Sequence, residues 1–392
     1  MILFVQPFGL AAAGGGARIM RALLENAPTQ WLSVAATSTP TQPPQFGQEL
    51  QVSGRPYFGR LERTRLAVWF TRLDGWGGSR LEAKLNNIIQ QHRVTAVHGI
   101  AHACWDSLAA YKAARQNRLP FFLTIHDDPA YCLRANPKRE KLLAGIAECW
   151  RAAAARFVIC EEMGEELCRR WGRQDYLLVT DGLSEMASQP RAPFPNRLAL
   201  YFMGLLHNSY EPNFVALQQA LHLISQQQPR LQVRLILRGA SLRRKAIIHS
   251  QFLQELPFGS ESQVQADLNE ADILYQPLSL APADWPMNAY SLSTKMITYL
   301  GAGLPILFHG PADSAAAKLL SRHHAAKVCG TNDPVQLAQS LQQLIGPERE
   351  QVVRSALQLA KQQFQSTAVR QKFWGAMNID PRAGRFGISQ FN

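Results

Sequence analysis

The sequence predicts an α/β protein made of two successive doubly wound halves, and three observations carry that expectation. The chain opens with an apolar run Ile2–Val5, a loop ending in Gly14-Gly15-Gly16, and a helically spaced segment A-R-I-M-R-A-L-L-E-N. Strand, glycine loop and helix in that order begin a doubly wound α/β unit. A second alternation of apolar strand runs and helical segments starts at Leu198. Between the two lies 184–196, with three prolines and no periodicity, the best linker in the chain. At 392 residues and 46% hydrophobic, the chain can bury two cores of ordinary size.

The elements of the first half follow in order. Ile2–Val5 reads as a central parallel strand because it is apolar on both faces. Gly15 and Gly16 allow close approach of a ligand to a helix start, although the dinucleotide fingerprint spacing is lacking; a loop that is merely pliable reads equally well. Trp31–Ala36 is a second strand, followed by a Pro/Thr/Gln-rich loop. The segment from Arg55 to Lys84 mixes seven basic residues with Tyr57, Phe58, Trp69, Phe70 and Trp76. Two readings stay open there: a basic aromatic face lying on an anionic bilayer, or a helix with its apolar stripe in the core and its arginines in water. Val94–Gly99 and Pro120–Ile125 are buried strands whose ends deliver His98, His102 and His126 to one rim, where ligands of open α/β sheets gather; a satisfied structural hydrogen bond reads equally well for His126 and is the plainer reading for His98 and His102. Asp127-Asp128 lacks a further carboxylate at ligand spacing, so no metal site is expected from it. Strands at Arg156–Cys160 and Leu177–Thr180 complete the half.

In the second half, Leu198–Met203 is a strand turning at Gly204, and Leu231–Leu237 is a strand ending at Arg238-Gly239. Arg243, Arg244 and Lys245 follow, then Phe258 in a loop, then the strand around Ala271–Pro277. The stretch Y-S-L-S-T-K-M-I-T-Y-L-G-A-G-L-P-I-L-F-H-G, from Tyr290, holds a helix capped by Ser293, a Gly303 suited to the left-handed position after a helix, and a buried strand at Ile306–Phe308. Ser293, Thr294 and Lys295 at that helix start form a natural anion site; one ordinary βα unit is the plainer reading.

Composition limits the function classes. A net charge of +12 attracts polyanions, anionic membrane surfaces or phosphorylated ligands. No Lys/Arg block, zinc pattern or aromatic RNA-binding signature points to nucleic acid. Six cysteines without a C-x-x-C pair read as reduced thiols, and no basic n-region opens the chain, so a cytoplasmic protein is expected. No run approaches the ~20 apolar residues of a membrane span, so any membrane contact is expected to be peripheral, on the inner face.

The second half resembles the nucleotide-sugar-binding domain of GT-B glycosyltransferases, in particular the retaining family 4. The residues that carry this are 202–205 (F-M-G-L), 271–277 (A-D-I-L-Y-Q-P) and 293–305 (S-T-K-M-I-T-Y-L-G-A-G-L-P), with the glycine loop, 124–127 (T-I-H-D) and 158–163 (V-I-C-E-E-M) in the first half. The resemblance implies two Rossmann-like domains facing each other across a cleft. Residues 1–183 would form an N-terminal acceptor-side domain, 184–197 the linker and 198–366 the nucleotide-sugar-binding domain, with a C-terminal helix at about 367–392 packing back on the first. It implies transfer of a sugar from a nucleotide diphosphate donor to a glycan or lipid-linked acceptor, with retention, without metal, and with no cofactor beyond the donor. His126 and Asp127 are the expected catalytic pair, with Asp127 orienting the imidazole. The expected donor-binding residues are Gly15, Gly16, Gly204, Arg238, Lys245, Phe258, Ser293, Thr294, Lys295 and Thr298. One departure stands out: the family carries two glutamates eight positions apart, where this chain has Tyr290 and Thr298. That departure leaves a non-catalytic GT-B relative, binding a glycan or partner, as the rival reading. A sugar-nucleotide epimerase of the same fold is a second rival, and a Rossmann oxidoreductase is disfavoured for want of the fingerprint.

Overall fold

The computed structural model describes residues 1–37, 39–53, 60–61, 67–102 and 105–377, and of 67–77 the backbone alone. Most of the basic aromatic segment 55–84 therefore lies outside the described side chains. The chain divides into two compact units. The first takes Met1–Ile159, Gly164–Thr180 and the described residues from Thr367 on; the second takes Cys160–Met163 and Asp181–Ser366.

The first unit runs β1 (Ile2–Gln6), α1 (Gly15–Leu24), β2 (Trp31–Ala35), β3 (Glu49–Gln51), α2 (Ala67–Gln91), β4 (Ala96–Ile100), α3 (Trp105–Gln116), β5 (Phe121–Ile125), α4 (Pro129–Cys132), α5 (Arg139–Ala152), β6 (Ala155–Val158), α6 (Glu161–Trp171) and β7 (Leu177–Leu178). Among the described residues its seven strands are parallel, in the order β3-β2-β1-β4-β5-β6-β7. The order reverses direction between β1 and β4, the switch point at which such sheets open toward ligands. Phe4, Phe122 and Phe157 are fully buried on the sheet. Phe373 and Trp374 join them from the last described helix: the Phe373 ring lies 4.8 Å from that of Phe157, and the Trp374 indole N–H donates to the Leu23 carbonyl at 2.8 Å.

The second unit holds β8 (Arg197–Met203), α7 (Glu211–Gln227), β9 (Gln232–Arg238), β10 (Leu253–Leu256), α8 (Glu261–Glu270), β11 (Ile273–Pro277), α9 (Trp285–Asn288), α10 (Thr294–Leu300), β12 (Ile306–His309), α11 (Ala315–Arg322), β13 (Lys327–Cys329), α12 (Pro334–Ile345) and α13 (Arg349–Gln363); α14 (Ser366–Met377) then returns the chain to the first unit. Its six parallel strands run β10-β9-β8-β11-β12-β13. The run expected as a linker packs within this unit. The Ala187 N–H donates to the Gly301 carbonyl at 2.8 Å and the Arg191 N–H to the Gly303 carbonyl at 3.0 Å. Gly303 has φ +71°, and a Cβ there would come within 2.7 Å of the Ala187 Cβ, so this position takes glycine on both counts. Asp272, nearly fully buried, accepts from the backbone of Ala199 (2.9 Å) and Phe194 (3.2 Å), which ties the incoming chain to the sheet.

Candidate active site

In the second unit, the C-terminal end of β8 and the start of α10 meet around one lysine. β8 ends at Met203, whose N–H donates to the Tyr299 hydroxyl of α10 at 3.1 Å, and the chain turns at Gly204 with φ +89°. A Cβ at Gly204 would approach Lys295 Cε to 3.9 Å, so turn and lysine are neighbours. Ser293 caps α10, its hydroxyl accepting the Lys295 N–H at 3.3 Å. The Lys295 ammonium sits 3.8 Å from the centre of the Phe202 ring, a cation–π contact. Among the described residues no carboxylate pairs with it. Burial lowers its pKa to about 7; burial, and after it the Lys295 charge, lowers that of His207 in the turn after β8. A half-buried lysine held against a ring, with no counter-ion among the described residues, is an arrangement that an anionic ligand completes.

The other basic residues expected here are already engaged. Arg238, at the end of β9, grips Asp267 of α8 with both arms (2.6 and 2.7 Å) and donates to the Pro257 carbonyl at 3.1 Å. Lys245 and Arg243 share Glu211, at 3.6 and 3.0 Å. These pairs neutralise charges that the sequence reading assigned to the donor. The partners are not legible in the sequence, since Asp267 and Glu211 lie on helices far from Arg238 and Lys245 along the chain. Phe258 is 62% exposed and covers Gly239, where a Cβ would lie 2.8 Å from the ring. The Thr298 hydroxyl donates to the Thr294 carbonyl one turn back, at 3.4 Å.

In the first unit, the switch point brings Gly16 and His126 together. Gly15 opens α1 and is exposed. A Cβ on Gly16 would lie 2.9 Å from the Phe8 ring and 3.3 Å from His126 Nδ1, so glycine permits the imidazole to approach the helix start. His126 is buried, and burial lowers its pKa to about 4, which keeps the ring neutral. Its Nε2 is buried with no hydrogen-bond partner among the described residues. An unmatched buried ring nitrogen at a sheet switch point is a place for a ligand hydroxyl.

Asp127 does not orient His126, contrary to expectation. Its carboxylate instead meets His102 Nδ1 at 3.1 Å. The hydrogen bond with Asp127, then that with Cys132, raises the His102 pKa to about 10. Desolvation acts to raise the Asp127 pKa, but His102 outweighs it and holds the carboxyl below its ordinary value. The third rim histidine is structural: His98 lies fully buried, bonds Thr124 Oγ1 at 2.7 Å, and has a pKa lowered to about 3, chiefly by burial.

No protein-family model and no curated protein matches the chain. Solved structures do. Sucrose-phosphate synthase from Thermosynechococcus elongatus superposes with a TM-score of 0.70 at 13% identity, over 96% of this chain and 97% of that one. A trehalose-6-phosphate structure from E. coli bound with UDP-2-fluoro glucose gives 0.67 at 14% identity, over 97% and 100%. HepE from Anabaena in complex with UDP gives 0.65 at 15% identity, over 96% and 99%. These likenesses establish the fold: the chain has the α/β architecture of GT-B glycosyltransferases, two Rossmann-like units each built on a parallel sheet.

Proposed function

We propose that this protein is a glycosyltransferase that takes its sugar from a nucleoside diphosphate donor. The observation that carries the proposal is Lys295, a half-buried lysine held against the Phe202 ring at the C-terminal end of the second sheet, with which no carboxylate of the described residues pairs. A departing diphosphate develops negative charge, and a fixed cation in a dry site stabilises it more in the transition state than in the ground state. Ser293, Thr294 and Gly204 surround that lysine and would share the phosphate contacts. Fold neighbours bound to UDP or a UDP-sugar support this donor class. His126, neutral and with Nε2 unmatched, would contact the transferred sugar. The acceptor in this reading is a sugar or glycan: one neighbour, a trehalose-phosphate synthase from Burkholderia xenovorans, is in complex with glucose-6-phosphate. Retention, and transfer without a metal in the reaction, come from the family resemblance.

A lipid-linked acceptor at an anionic membrane face belongs to the proposal through the charge of +12 and the basic aromatic segment 55–84. No helix of the described residues is long and apolar enough to cross a membrane. Flotation with anionic vesicles at low and high salt tests this part; absence of binding at low salt removes it.

A second reading has its own observation. Where the family has its second glutamate, the Thr298 hydroxyl bonds its own helix, which favours a relative that binds a sugar nucleotide without transferring from it. Incubation with a panel of nucleoside diphosphate sugars, with and without sugar acceptors, separates the two. Nucleoside diphosphate release that requires an acceptor supports the transferase. Thermal stabilisation without release supports the binding protein, and no stabilisation by any donor contradicts both.

A further inference from the structure

We propose that His102, Asp127 and Cys132 form a binding site for one divalent ion of the zinc class. His102 follows β4, Asp127 follows β5 and Cys132 closes α4, so all three reach one edge of the first unit's sheet. His102 Nδ1 and Asp127 Oδ2 are 3.1 Å apart, and these atoms and Cys132 Sγ all lie within 4.8 Å of one another. Zinc–ligand bonds of about 2.0–2.3 Å in a tetrahedron put donor atoms roughly 3.3–3.6 Å apart, so small side-chain adjustments bring the three onto one ion. Imidazole, carboxylate and thiolate together suit a borderline-soft dication. Magnesium and calcium call for oxygen ligands throughout. A carboxylate pattern does not reveal this site, because the ligands beside Asp127 are a histidine and a thiol.

The loop that carries two of the ligands is held by bonds that leave those ligands available. Asp128 accepts the Ala130 N–H at 3.0 Å, Arg170 grips both oxygens of Asp128 at 2.7 and 3.1 Å, and the Cys132 N–H donates to the Asp128 carbonyl at 3.0 Å. Such support positions ligands before the ion arrives. The His102 and Asp127 side chains are 49% and 52% exposed, so an ion enters directly from solvent. Ligands bind the ion deprotonated, and their protons pass to solvent. Three protein ligands leave a fourth position for water or for an oxygen of a molecule bound at this rim. The proposal does not rest on the glycosyltransferase reading, because its readout is metal binding alone.

Cobalt(II) titration of the chelator-treated full chain tests it by absorption spectroscopy. The expected result is one equivalent bound per chain, with tetrahedral visible bands and a near-ultraviolet thiolate-to-cobalt charge-transfer band, all abolished by added zinc. Cys132→Ser should remove the charge-transfer band, and His102→Gln should weaken cobalt affinity by more than about tenfold. Cys168→Ser should change neither. Circular dichroism melts confirm that each variant is folded, and His102→Gln serves if Cys132→Ser does not fold. Absence of the charge-transfer band in the parent protein, or its persistence in folded Cys132→Ser, overturns the proposal. So does unchanged affinity in folded His102→Gln.

Discussion

His126 and Lys295 carry the glycosyltransferase reading at the residue scale, each for a polar group that no described residue matches. Among the described residues, the buried Nε2 of His126 has no hydrogen-bond partner and Lys295 has no carboxylate. A hydrogen bond from His126 to the sugar would matter most in the transition state, so His126→Ala should lower turnover far more than nucleotide affinity. Steady-state kinetics beside a binding isotherm on the same preparation checks this; unchanged turnover in the folded variant removes His126 from the chemistry. Lys295 gives the site a pH dependence whose sign is fixed. Its pKa in the free protein is about 7, and a bound diphosphate must raise it. The lysine's contribution to binding is complete below pH 7 and falls as pH rises through and above it, by up to about tenfold per unit while one proton is taken up on binding. Calorimetry across that range should show the fall, and Lys295→Arg, which stays charged, should flatten it. The positions of both residues, after a strand and at a helix start, were legible in the sequence. Asp127's partner was not: His102 lies 25 positions away, and only the parallel neighbours β4 and β5 bring the two together.

The Arg238–Asp267 pair shows the same limit for whole elements. Arg238 fastens β9 to α8 through two short bonds, with its side chain 10% and that of Asp267 12% exposed. Removing one partner from so buried a pair strands the other charge, so Arg238→Ala should destabilise the protein by about 3–5 kcal/mol. Arg238→Ala with Asp267→Ala should cost less than the single change, by denaturant unfolding. A single change that lowers nucleotide affinity at unaltered stability would return Arg238 to the donor site. Phe373 of α14 is fully buried against Phe4 and Phe157, and Phe373→Ala should cost about 3–5 kcal/mol. A loss below 1 kcal/mol would mean that α14 is not part of that core. The central strands were readable because they are continuous apolar runs. β3, β10 and β13 were not, being edge strands of three or four residues with sequences E-L-Q, L-Q-E-L and K-V-C. Their pairing is set by the neighbouring strand more than by their own residues.

At the scale of the whole molecule, the alternation of strands and helices was enough to predict two doubly wound units, and neighbours covering 96–97% of the chain share that fold. The return of the described chain from Thr367 to the first unit was an expectation of the family resemblance and not of periodicity, and the placing of 160–163 in the second had no periodic signal behind it. The function rests on a narrower base, the chemistry of one lysine in the second unit. Calorimetric titration of the full chain and of its Lys295→Met variant with a nucleoside diphosphate, near pH 6.5, tests it most directly. The account predicts binding by the parent protein and a loss of about 1.5–3 kcal/mol in the variant, the range for a hydrogen bond to a charged group. Equal affinity in the two proteins, with both folded, would contradict it.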